Sequence, residues 1–137
     1  MGASALDITA QSTAVDPGSI THSTTPGAVK FTPGGVGRNV AEAAHYILSS
    51  ELMGRPESTM LVSPIGTDAP AAVLLADYSR TGMRTDGLLI DELSRTAVCN
   101  MLLDSSGNLL GGVADMDILR GHNVEPVSCS NLFRLST

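Results

Sequence analysis

A chain of 137 residues with 42% apolar content carries enough apolar material for one core and one domain. Aromatic residues make up only 3%, with no Trp, while small and aliphatic residues are plentiful; this suits helices packed closely on a sheet, so α/β is the expected class. The net charge is −6 and the eight Lys and Arg are scattered, which leaves no basic stripe for a polyanion and excludes nucleic acid as an expected partner.

In chain order, Ser4 to Ala10 reads as a short strand, with Leu6 and Ile8 on one face and Asp7 on the other. Gln11 to Gly27 is rich in Ser, Thr, Pro and Gly, as a polar excursion or a pair of edge strands would be. A return strand is expected at Ala28 to Thr32. Pro33-Gly34-Gly35-Val36-Gly37 then makes a turn, and Arg38 to Ser50 predicts a helix whose apolar face holds Val40, Ala43, Ala44, Ile47 and Leu48. Thr59 to Ile65 has the compact apolar look of a buried parallel strand. Asp68 caps a second helix, with Pro70 in its first turn, a face of Ala72, Leu75, Ala76 and Ser79, and an end near Gly82. Met83 to Ile90 adds a strand. Thr96 to Leu103 pairs with Asn108 to Ala114 across Asp104-Ser105-Ser106-Gly107, and Asn123 to Thr137 lacks periodicity, as a frayed tail does.

The glycine turn is the main candidate for chemistry. Free amides at the positive end of a helix dipole suit anions or hydroxyl-rich ligands, although a lone Gly-Gly-x-Gly turn is more often a structural bend. The dinucleotide fingerprint fails, because the sixth position counted from Gly35 is Val40. The nucleotide P-loop fails too, for no Gly-Lys-Ser or Gly-Lys-Thr occurs. Cys99 and Cys129 and three isolated histidines fit no metal spacing, so no metal site is expected. Met1 to Ala10 has no basic stretch leading into an apolar core, and no apolar run could span a bilayer. A cytoplasmic setting without membrane contact is therefore expected.

Pro33-Gly34-Gly35-Val36-Gly37-Arg38-Asn39-Val40-Ala41 resembles the first signature of the PfkB (ribokinase-like) carbohydrate kinases. Further matches stand in family order: Gly2 to Ala10 with its Asp7, Ser63 to Asp68, Thr81-Gly82-Met83, and Ser94 to Val98 leading into Asp104-Ser105-Ser106-Gly107. The wording, with Ala114-Asp115-Met116-Asp117-Ile118, is most similar to the pseudouridine kinase branch. The resemblance implies a partial ribokinase-like fold, parallel strands with helices plus a small antiparallel lid sheet. It makes residues 1–118 the N-terminal, sugar-binding part of a kinase domain, with lid segments near 11–32 and 96–114, and leaves 119–137 as an irregular tail.

By the same resemblance, Asp7, Gly34, Gly35, Gly37, Asn39, Thr96 and Asn100 are the candidate substrate-binding residues. A carboxylate accepts two hydroxyl hydrogen bonds at once, and glycine amides with an Asn side chain complete a polyol's partners. Without the resemblance, Asp7 reads equally as a capping or edge-exposed carboxylate, Asn39 as a helix cap, and Thr96 and Asn100 as solvated strand residues; Cys99 reads as a small apolar residue. The family uses ATP and Mg, but its Gly-Ala-Gly-Asp turn, with the base and the anion hole, does not follow Ile118. This chain is thus expected to contain no catalytic residue, to bind ATP and Mg poorly, to be inactive by itself, and to self-associate through an exposed lid or a truncated sheet. A non-catalytic interaction module built on the same fold is the competing expectation.

Overall fold

The computed structural model describes residues 1–13, 24–50 and 53–121. The expected frayed tail and Cys129 lie outside the described residues, as does most of the polar excursion after Gln11. The first strand, β1 (Ala5–Ser12), becomes one of the two inner strands of a four-stranded sheet. It pairs antiparallel with β2 (Gly27–Gly34), with Asp7 opposite Thr32. Helix α1 (Val36–Leu48) follows at once. A second sheet is small: β3 (Ser63–Ile65) and β4 (Leu88–Ile90) pair in parallel, joined by α2 (Ala69–Thr81). The chain then returns to the main sheet through β5 (Val98–Leu103), parallel to β1, and β6 (Leu109–Asp115), antiparallel to β5. A short α3 (Ile118–Gly121) ends the described residues. The order across the main sheet is β2-β1-β5-β6. The α/β class and the mixed strand directions expected of a partial ribokinase-like fold are those observed, with the antiparallel pairs β1–β2 and β5–β6 flanking the parallel pair β1–β5.

Local chemistry sets the element ends. Asp68 caps α2, its side chain accepting the Ala71 amide at 3.1 Å, and Gly82, at φ 73°, ends it in the left-handed conformation that glycine adopts freely. In the β5–β6 turn, Asp104 Oδ1 accepts the amides of Ser106 and Asn108, both at 2.8 Å, while Gly107 takes φ 86°. The two predicted buried strands are shorter than expected, because only three residues of each find a partner.

The main core lies between the helices and the second sheet and contains Ala41, Leu61, Ile65, Leu74, Tyr78 and Met83. A smaller cluster, Ala5, Ala97 and Ile118, joins the starts of β1 and β5 to α3. Both helices present faces other than the predicted ones. α1 buries Arg38, Ala41 and His45, and leaves Val40 64% and Ile47 62% exposed. α2 buries Ala71, Leu74, Asp77 and Tyr78, while Ala72, Leu75, Ala76 and Ser79 are exposed. A buried ion pair between Arg38 and Asp77 joins the helices and fixes both rotations, which apolar periodicity alone cannot report.

Candidate functional site

Asp7 lies half-buried in β1, between Thr32 of β2 and Cys99 of β5. Its carboxylate occupies the space that a side chain at Gly34 would need: a Cβ there would stand 2.2 Å from Asp7 Oδ2 and 2.7 Å from its Cγ. Only glycine at the end of β2 leaves this carboxylate room. Gly35 is the N-cap of α1 at φ 93°, and a Cβ there would meet Ala3 O at 2.5 Å, so torsion and space both demand glycine. At Gly37 a Cβ would lie 2.6 Å from Gly2 Cα. Gly37 is therefore explained by the close passage of the first residues, which the Arg38 amide secures through a 3.0 Å bond to Ala3 O. Because α1 starts so soon after Gly34, the positive end of its dipole stands close to Asp7.

Asn39 is exposed, and its Oδ1 accepts from Arg38 Nη1 at 3.2 Å. Arg38 itself is only 5% exposed. Its guanidinium donates to both carboxylate oxygens of Glu42, at 2.9 and 3.0 Å, to Asp77, and to Pro33 O at 3.4 Å. Asp77 also takes Arg80 at 2.5 Å. Apolar spacing does not reveal this network. The spacing of Arg38 and Glu42, four residues apart on one helix, is a legible signal, whereas nothing local announces Asp77.

Thr96 precedes β5 and is 1% exposed. Its hydroxyl donates to Asp68 Oδ1 at 2.6 Å, its amide donates to Asp68 Oδ2 at 2.9 Å, and its oxygen accepts the Gly66 amide at 2.9 Å. Burial pushes the Asp68 carboxyl up, but these donors and the Ala71 amide outweigh it and hold the group below the usual carboxylate range. Thr96 thus braces the β3–α2 turn against the start of β5. Asn100 is exposed and pairs with Ile8, on the sheet face opposite Asp7. There it lines a shallow cleft of about 260 Å³ with Leu102, Leu110 and Val113. The structure brings Asp7, Gly34 and Gly35 together, with Asn39 one helical turn on; Thr96 stands before β5, outside the sheet, and Asn100 on the sheet face opposite Asp7. Among the described residues no group of three or more His, Cys, Asp or Glu could hold a metal ion, so none is assigned to Mg. Nor, among them, is any helix long and apolar enough to cross a membrane.

Residues 5–128 match the family described as pfkB family carbohydrate kinase. The pseudouridine kinase of Escherichia coli (strain K12) is 37% identical over 93 residues, 68% of this chain and 27% of that protein. The pseudouridine kinase of Arabidopsis thaliana is 32% identical over 117 residues, 85% of this chain and again 27% of that protein. The chain thus spans about a quarter of the length of these relatives. Among solved structures, a carbohydrate kinase from Agrobacterium tumefaciens superimposes with a TM-score of 0.67 at 18% identity, over 96% of this chain and 40% of that one. That likeness speaks for the fold, and the first two speak for descent. With the family pattern matched across most of its length, the chain belongs to the pfkB family of carbohydrate kinases.

Proposed function

We propose that this chain supplies the sugar-contacting part of an ATP-dependent kinase that phosphorylates a nucleoside hydroxyl, with pseudouridine as the nucleoside. The observation that carries the reading is Asp7 seated against Gly34, beside the start of α1. A carboxylate held there accepts two neighbouring ribose hydroxyls, while the Gly35 amide and the Asn39 side chain offer further partners. The choice of pseudouridine is supported by the names of the two relatives. The residues described here bind and orient; ATP and Mg would supply the phosphoryl group and its charge neutralisation from outside them, and the chain by itself transfers no phosphate. A cytoplasmic setting belongs to the same proposal.

Calorimetric titration with pseudouridine tests the reading. Saturable binding is expected in the unaltered chain, and Asp7→Ala should weaken it at least about 100-fold, the loss of roughly two charge-assisted hydrogen bonds. Heat-silent titrations, or equal affinity in the variant, would refute it. The competing reading, an interaction module, draws on the other sheet face, where Phe31 is 59% and Val113 74% exposed. That face also supports self-association of the chain.

A further inference from the structure

We infer that Cys99, followed along β5 by Met101, is the specificity-determining wall of the Asp7 site and contacts the part of the ligand that is not sugar. The inference rests on the proposed reading of Asp7 and deepens it. Residues paired across neighbouring strands point to the same side, about 5 Å apart. The register therefore gives one row across the sheet, Thr32, Asp7, Cys99 and Ala114, and the next row on the same face, Lys30, Thr9, Met101 and Gly112. Both rows divide at the same place. The β2–β1 half offers a carboxylate, two hydroxyls and an ammonium, while the β5–β6 half offers a thiol, a thioether, a methyl group and a bare backbone.

Cys99 and Met101 are half-buried, neither sealed in a core nor fully open. A free sugar is polar on every side and gains nothing from the second half. A nucleoside has hydroxyls at one end and a flat ring at the other, and polarizable sulfur packs well against such a ring. The face is thus matched to a nucleoside, and on β5 the contact falls to Cys99, because Asn100 points to the opposite side.

Alkylation of the full chain carrying Cys129→Ser, which leaves Cys99 as its single thiol, tests this directly. Iodoacetamide labelling is followed by mass spectrometry with no ligand, with ribose and with pseudouridine. Saturating pseudouridine is expected to slow labelling of Cys99 at least about tenfold, while ribose changes it less than about twofold. In parallel, Cys99→Leu should weaken pseudouridine about tenfold and leave ribose unchanged, an effect that Asn100→Ala should not reproduce. If pseudouridine binds through Asp7 yet leaves Cys99 unprotected, or if ribose protects equally, the inference is overturned and the reading of Asp7 stands. If neither ligand binds in an Asp7-dependent way, both fall together.

Discussion

Asp68 serves two elements at once: it caps α2 through the Ala71 amide and holds Thr96 through that residue's amide and hydroxyl. Because these donors stabilise the charged form, its folded pKa lies below its ordinary value. The stability it contributes is therefore complete above the ordinary carboxylate pKa of about 3.9 and disappears as the pH falls through the lowered folded value. Asp68→Asn keeps the shape and the capping ability but removes the charge. Urea unfolding at pH 7 and at pH 3 should show the parent losing more stability on acidification than the variant, and parallel losses would contradict this. The brace also bears on Thr96, whose hydroxyl is already engaged with Asp68 and Gly66. A residue type that suits a sugar site suits an internal clamp equally well, and the sequence carries nothing that separates the two.

For the two helices, existence and ends were legible because their punctuation is local: Gly35 before α1, Asp68 and Gly82 around α2. Their orientation was not. Apolar spacing on α1 picks out Val40, Ala43 and Ile47, yet the inward face is the one carrying Arg38, since its charge is met by Asp77 across the helix pair. Breaking a buried pair leaves an uncompensated charge, so Asp77→Ala is expected to cost about 3–5 kcal/mol in denaturant unfolding. Arg80 is 72% exposed on the same carboxylate, and Arg80→Ala should cost less than about 1 kcal/mol. Equal losses in the two variants would show that Arg38 does not depend on Asp77. In the sheet, alternation placed Asp7 correctly opposite Leu6 and Ile8 within β1, but the pairing of β1 with β5 joins residues from distant parts of the chain. Which of Cys99 and Asn100 shares a side with Asp7 is decided only by that pairing.

Across the whole molecule, the main sheet presents two different faces. On the side away from Asp7, the row Phe31, Ile8, Asn100 and Val113 runs from edge to edge, with Phe31 and Val113 more than half exposed. Exposed apolar side chains at both ends of such a row, on an open sheet, favour association. Sedimentation of the full chain should show concentration-dependent dimers or larger species, and Phe31→Lys combined with Val113→Lys should return it to monomer; a parent that is already monomeric throughout would refute this. The strand order has a further consequence, for synthesis on the ribosome. β1 is made before the other strands described, yet it lies inside the sheet, and its neighbour on one side, β5, is made after both long helices. The hairpin of β1 and β2 can close early, but the other edge of β1 stays an open template until β5 has left the exit tunnel. Pairing between such distant segments is slow, and an unpaired strand edge invites the wrong partner meanwhile. The nascent chain is thus most vulnerable to misassembly between the emergence of α1 and that of β5, a window in which chaperone occupancy should peak.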